Sequence, residues 1–208
     1  MKFSAMNRLA CAVGAAVLLG TSLTACVAPL LVGGAMVGGT LVATDRRTSG
    51  AQLEDEGIEM RAASQIRANL GSRVRVIVTS YNRQVLLTGE VPNLQDREKV
   101  TQVVSQVDNV RAVSNELDVL NSPSLMERSS DTLTTGRIKA AMLDAKDLKA
   151  NAFKIVTERG TSYLMGRVTQ READRATEVV RSTPGVQKVV RLLELISEDE
   201  LARLESVR

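Results

Sequence analysis

The 208-residue sequence contains no histidine and no tryptophan, and it has only two phenylalanines and two tyrosines. Because histidine is the commonest general base and a frequent metal ligand, its absence excludes histidine-based catalytic triads, haem ligation by histidine and zinc sites of the usual kind. Three polar residues that could serve in catalysis, Ser80, Asp131 and Glu158, belong to no catalytic motif. The sequence therefore predicts no enzyme, no metal and no cofactor.

The charge of the chain is also small. Its formal net charge is +3, and removal of an N-terminal segment containing Lys2 and Arg8 would lower this to about +1. Nucleic-acid binding would call for a basic stripe, interleaved aromatics or a known reading motif, and the sequence has none of these. A nucleic-acid partner is therefore not predicted.

The N-terminus has the order of a secretory signal peptide: basic residues, an apolar run over residues 9–20, and small residues before Cys26. Leu23-Thr24-Ala25-Cys26 resembles the lipobox of bacterial lipoproteins, in which the cysteine is lipidated and the bond before it is cut. Residues 1–25, with Cys11, would then be removed, and Cys26 would become the lipidated first residue. The alternatives are an ordinary signal peptide and an uncleaved membrane anchor.

Residues 26–56 are predicted to form the lipid anchor, a spacer and a linker. Residues 27–43 are rich in alanine, valine, leucine and glycine and carry no charge, and residues 44–56 are polar. The uncharged segment lies at the lower limit of about 17 to 25 residues for a membrane-spanning helix, and its glycines disfavour a helix. A spacer is preferred over a second span.

The remainder of the chain contains one pattern twice. The hairpin around Gly89 recurs around Gly166, 77 residues later, whereas Val78 and Val156 are 78 residues apart, so the first turn is predicted to be one residue longer. Each copy has a helical pattern, two strands, a capped helix and a last strand. We predict an α+β fold of two α-β-β-α-β domains, at residues 57–121 and 122–196, followed by a short helical tail at 197–208.

The hairpin pattern V-T…V-x-L-x-G-x-V, the capped helix and the closing Asn109-Val110 or Gly185-Val186 resemble the BON domain. Each domain is then expected to have a three-stranded mixed sheet with two helices on one face. The order of lipobox, spacer and two such domains resembles outer-membrane lipoproteins of this family. Val27 replaces the aspartate that typically retains lipoproteins in the inner membrane, so the resemblance implies the periplasmic face of the outer membrane. Gly89 and Gly166 are expected to be structural glycines.

The first helix of the second domain is the candidate binding surface. With Ile138 and Met142 in the core, helical geometry places four residues on the opposite side: Leu133, Arg137, Ala140 and Asp144. BON-domain lipoproteins are thought to bind anionic phospholipid, which makes this face a candidate lipid contact. The predicted contact residues are Leu133, Gly136, Arg137, Lys139 and Ala140. A solvated face, or one packed on the first domain, is the alternative, and the aromatic residue that the family prefers near Leu133 is missing.

The sequence thus favours a lipid-anchored protein that binds anionic phospholipid and supports envelope integrity. The alternative is an adaptor that binds proteins of outer-membrane assembly or cell division without recognising phospholipid.

Overall fold

The computed structural model describes residues 45–120 and 125–206. Cys26, the predicted signal peptide and the predicted spacer at 27–43 lie outside the described residues. Within the described ranges, no helix has the length and apolarity needed to cross a membrane.

The first domain has two helices and a mixed sheet. Its elements are α1 (Ser49–Leu70), β1 (Arg75–Tyr81), β2 (Gln84–Val91), α2 (Leu94–Ser105), β3 (Ala112–Asn115) and β4 (Asp118–Val119). β1 is antiparallel to β2, and β3 and β4 both run parallel to β2, one after the other along its length. Together β3 and β4 occupy the place of one third strand.

The second domain repeats this order. Its elements are α3 (Leu125–Asp144), a 3₁₀ turn (Ala150–Ala152), β5 (Phe153–Glu158), β6 (Thr161–Val168), α4 (Gln170–Ser182) and β7 (Lys188–Leu195). β5 is antiparallel to β6, and β7 is parallel to β6. The prediction of two α-β-β-α-β copies with mixed sheets is therefore confirmed.

The predicted difference between the hairpin turns is wrong. Tyr81 pairs with Gln84 and Glu158 pairs with Thr161, so both turns contain two residues. Strand register aligns Val78 with Ile155 rather than with Val156, which gives a constant separation of 77 residues throughout the hairpin. Ile155 and Val156 are adjacent apolar residues, so the sequence alone did not decide which of them corresponds to Val78.

Alternation along the strands gives each sheet two apolar faces. In β2, Val85 and Leu87 face α1 and α2, where they pack with Ile58 and Val100. The corresponding core of the second domain lies between its sheet and helices α3 and α4. Both helices of each domain therefore cover the same face of its sheet, which leaves the other face without helices.

These helix-free faces pack against each other. Leu86 of the first domain lies in one cluster with Tyr163 and Met165 of the second, and all three are at most 5% exposed. Tyr81 completes this buried cluster, and its hydroxyl points to the carbonyl of Ala152 across the interface. The molecule is thus layered as helices, sheet, sheet, helices, and all helices lie outside.

A group of charged residues closes one end of the sheet interface. Glu90 has a side chain that is only 1% exposed, and its oxygens lie 2.7 Å from Arg75 Nε and 3.1 Å from Arg159 Nε. Arg75 also pairs with Glu158 of the second domain. Burial raises the pKa of Glu158, and the charge of Arg75 offsets only part of this effect. Glu127 also pairs with Arg159, so three carboxylates and two guanidinium groups meet at this end of the interface.

The segment before α1 joins the two domains. α1 begins at Ser49, eight residues before the predicted domain boundary, because the Thr48 side chain accepts a hydrogen bond from the Ala51 amide and caps the helix. Arg46 forms a bidentate pair with Glu172 of α4, with both distances 2.7 Å, and it donates to the Arg167 carbonyl. Its side chain is 3% exposed. We call this contact the Arg46 clasp.

The next residue, Arg47, binds the first domain. Its guanidinium lies 2.7 Å from Asp55 of α1 and 4.2 Å from the centre of the Tyr81 ring. Adjacent arginines therefore hold opposite domains, and both lie in the stretch that composition had suggested to be a linker. The polar composition of this stretch indicates exposure to solvent, but Arg46 and Arg47 are instead paired with the buried carboxylates of Glu172 and Asp55.

The C-terminal segment forms a further helix, α5 (Glu198–Ser206), whose first turn is capped by the Ser197 hydroxyl. Leu201 is 7% exposed, and Arg167 and Lys149 of the second domain pair with Glu200 and Glu205. The tail therefore packs on the second domain.

We predict that Arg46→Met lowers the free energy of unfolding by about 3 to 5 kcal/mol, because it leaves Glu172 buried without its counter-charge. The exposed pair of Arg61 with Glu54 provides a matched control, for which Arg61→Met is expected to change stability by about 1 kcal/mol or less. Urea denaturation of residues 44–208 measures both. Equal effects of the two substitutions would show that the clasp does not stabilise the fold.

A second prediction concerns the stability of the fold at acidic pH. Burial opposes ionisation of Asp55 and Glu172, but hydrogen bonds from Ser80 and from Arg46, respectively, together with backbone amides, hold both pKa values below their usual 3.8 and 4.5. The folded chain then binds fewer protons than the unfolded chain, so stability is retained above these values and lost as the pH falls through and below them. Glu158, with its raised pKa, acts in the opposite direction.

The test is the acid dependence of stability in variants. Asp55→Asn and Glu172→Gln should each flatten the fall in unfolding free energy below about pH 4.5, the usual value for glutamate. Urea titrations at a series of pH values measure this slope. A slope identical to that of the parent in both variants would contradict the assignment.

Candidate functional site

The candidate site is the solvent-facing side of α3. The helix turns Ile138 and Met142 into the core, where both are fully buried. All five predicted contact residues are exposed on the helix: Leu133, Gly136, Arg137, Lys139 and Ala140. Leu133 is 62% exposed, so this face does not pack on the first domain.

Two large apolar residues of this face were missed in the sequence. Met126 is 82% exposed and Leu143 is 67% exposed. Met126, Leu133 and Ala140 follow one another at seven-residue intervals and therefore form a row along the helix. The spacing is present in the sequence, but it does not identify a row until the start of the helix at Leu125 is known. We call Met126, Leu133, Ala140 and Leu143 the outer face of α3.

Three cations flank the outer face, and the exposed Asp144 lies on it beside Leu143, so the face keeps an excess of positive charge. Arg137 lies next to Leu133, and Arg128 and Lys139 lie on the opposite side of the apolar row, about three turns apart. Among the described residues, no carboxylate lies within ion-pair distance of these three side chains. They contrast with the many arginines of this chain that are paired, such as Arg46 and Arg75. An apolar row with free cations beside it suits a surface where apolar and anionic groups meet.

The equivalent helix of the first domain differs. α1 has Gly57 and Arg61 at the places that correspond to Leu133 and Arg137, if Asp55 is aligned with Asp131. Arg61 pairs with Glu54 at 2.6 Å and also donates to the Asp108 carbonyl. The repeat thus provides an internal comparison: the same position carries an unpaired cation in α3 and a neutralised one in α1.

The polar residues considered for catalysis are bound in structural contacts. Asp131 accepts hydrogen bonds from the amides of Arg159 and Gly160 at the hairpin turn. Asp55 holds the first hairpin in the same way, through the Asn82 and Arg83 amides, and also accepts from the Ser80 hydroxyl. One aspartate on the first helix of each domain therefore fastens that domain's hairpin turn.

The third residue considered for catalysis, Glu158, belongs to the interface ion cluster. In the described part of the chain, no three Cys, Asp or Glu side chains come together as a metal site would require.

The two hairpin glycines have a steric basis. A Cβ on Gly89 would lie 2.1 Å from the Arg75 carbonyl oxygen, and the residue has φ +114°. A Cβ on Gly166 would lie 2.6 Å from the Ala152 carbonyl oxygen. Close approach to the neighbouring backbone requires glycine at both places.

Comparison with known proteins agrees with this architecture. The model of the BON domain family matches residues 54–121 and 130–197. The chain is 34% identical over 198 residues to the outer membrane lipoprotein DolP of Haemophilus influenzae, which covers 94% of this chain and the whole of that protein.

Two further relatives are similar over part of the chain. The 21 kDa hemolysin of Actinobacillus pleuropneumoniae is 31% identical over 73% of this chain and 79% of its own length. The osmotically-inducible protein Y of Escherichia coli is 30% identical over 55% of this chain and 58% of its own length.

Proposed function

This chain belongs to the BON domain family, and from that membership we propose that it is an outer-membrane lipoprotein that binds anionic phospholipid through its second domain. In this proposal, residues 1–25 are removed and Cys26 carries the acyl chains. The two domains then lie on the periplasmic side and support the integrity of the envelope. The whole-length similarity to a protein named as an outer membrane lipoprotein supports the location.

The observation that carries the lipid proposal is the outer face of α3. Three large apolar residues of one helix are each more than 60% exposed: Met126, Leu133 and Leu143. Exposing them together to water is unfavourable, and such apolar patches mark interaction surfaces. If the helix lies in the plane of the membrane interface, these side chains enter the acyl boundary. Arg137, Lys139 and Arg128 then remain at the level of the phosphates.

The contrast with α1 supports the choice of the second domain. α1 exposes Leu53 and Met60, but its Arg61 is neutralised by Glu54, its Glu59 is paired with Lys154, and Glu56 adds an exposed carboxylate. Carboxylates beside an apolar face oppose approach to an anionic surface. The two domains therefore share one fold, but of their first helices α3 is better suited to anionic lipid than α1.

The lipid anchor strengthens such a contact. Three acyl chains hold the protein far more strongly than one, at about 0.8 kcal/mol for each buried methylene. Once the chain is anchored, α3 meets the bilayer at high local concentration, so a weak intrinsic affinity is sufficient. This offsets the absence of an aromatic anchor near Leu133.

We predict that residues 44–208, without anchor and spacer, float with vesicles of phosphatidylglycerol and not with vesicles of phosphatidylcholine. Leu133→Asp removes the central apolar contact and Arg137→Glu reverses a cation, so each should abolish flotation. Met60→Asp is the matched control, because Met60 is an equally exposed apolar residue on α1, and it should float like the parent. Added salt should weaken flotation, since exposed charges are screened.

A parent fragment that never floats would contradict the lipid proposal. A stable protein complex formed by residues 44–208 without vesicles would then favour the adaptor function, with a protein of outer-membrane assembly or cell division as the partner. Equal loss of flotation in Met60→Asp and Leu133→Asp would contradict the assignment to α3.

A further inference from the structure

A groove runs beside α3, between that helix and the edge strands of both sheets. Its volume is about 510 Å³, which is within the usual range of about 300 to 1,000 Å³ for ligand sites. β1 of the first domain supplies Arg75 and Ile77, and β5 of the second supplies its lining from Ile155 to Glu158. α3 supplies the outer wall, including Gly136 and Lys139. We call this the α3 groove.

The floor of the groove is apolar and comes from both domains. Ile77 is 37% exposed although it lies on the sheet face that otherwise packs against the second domain. Val156 of β5 also lines the groove, whereas its neighbour Ile155 points to the helix side of the strand and is 7% exposed. Gly136 adds no side chain to the wall, and within the described ranges no atom beyond its chain neighbours and its own helix backbone lies within 4 Å of the position that its Cβ would occupy. The groove is therefore open towards the outer face of α3.

The charges of the groove are not balanced. Asp131 is engaged by the Arg159 and Gly160 amides, and Glu158 is paired with Arg75. Arg128 and Lys139 remain on the α3 wall without a carboxylate partner among residues 45–120 and 125–206. They are eleven residues apart on one side of the helix, which corresponds to about 16 Å. The α3 groove thus combines an apolar floor with two cations along its rim.

We propose that the α3 groove holds one anionic phospholipid molecule, with its phosphate against Lys139 or Arg128 and part of an acyl chain on Ile77 and Val156. This inference rests on the proposed function and makes it more specific. The outer face of α3 would contact the bilayer as a surface, whereas the groove binds a single lipid. Because the floor includes Ile77, the first domain takes part in the site.

The experiment uses the full-length chain in vesicles of equal parts phosphatidylcholine and phosphatidylglycerol. A trace of phosphatidylglycerol that carries a diazirine on its acyl chain is activated by light, and the labelled residues are mapped by mass spectrometry. A phosphatidylcholine with the same diazirine chain is the headgroup control. Labels from the anionic probe on β1 and β5, at Ile77 and Val156, are the expected result.

Two variants test whether labelling in the groove depends on its rim cations, Arg128 and Lys139. Arg128→Gln and Lys139→Gln should each reduce groove labelling about fivefold, since each cation near an anionic lipid contributes about one such factor. Lys188→Gln, at an exposed position on β7, is the matched control and should leave labelling unchanged. Equal effects of Lys188→Gln and Lys139→Gln would overturn the role of the rim.

The distribution of labels separates the two proposals. Anionic-selective labels confined to the outer face, at Met126, Leu133 and Leu143, would overturn the groove proposal and leave the proposed function intact. If neither the groove nor the outer face is labelled more by the anionic probe than by the phosphatidylcholine probe, both the groove proposal and the proposed function are contradicted.

Discussion

The packing of two helix-free sheet faces against each other determines which surfaces of this protein remain available. Each α-β-β-α-β domain covers one face of its sheet with two helices, and the other face would expose Leu86 in one domain and Tyr163 and Met165 in the other. When these faces pack together, their apolar side chains are removed from water. This burial of apolar surface is the dominant favourable contribution to the free energy of such an association. The consequence is that all four domain helices point outwards, and α3 is free to meet another surface.

The distribution of charge follows from the same arrangement. Charged residues near the interface are paired: Glu90 is held between Arg75 and Arg159, and the Arg46 clasp bridges the domains from outside. Buried pairs of this kind satisfy one another rather than adding large net stability. In the described part of the chain, Arg128, Arg137 and Lys139 of α3 have no such partners, so a chain with little net charge still presents a local excess of positive charge.

The sequence predicted the repeated fold because hydrophobic alternation, capping residues and hairpin glycines repeat in register. It also predicted the orientation of Leu133 and Arg137, since helical periodicity alone decides which side of α3 is buried. It could not predict the Arg46 clasp, because Arg46 and Glu172 are 126 residues apart and Arg46 lies in a stretch with the composition of a linker. The aspartates that fasten the hairpins were missed for the same reason: their partners are backbone amides, which leave no pattern of residue types. The α3 groove could not be predicted either, because both domains line it and no local sequence pattern gives their relative position.

The most direct test of the account is the depth of α3 in the membrane. A nitroxide is attached to residues 44–208, which contain no native cysteine, at Leu133→Cys or, in a second sample, at Met60→Cys, and collisions with oxygen and with a water-soluble relaxation agent are compared in anionic vesicles. The account predicts that the label at position 133 is shielded from the water-soluble agent and accessible to oxygen, while the label at position 60 stays in water. Equal access of the water-soluble agent to both labels would contradict the claim that the outer face of α3 enters the membrane.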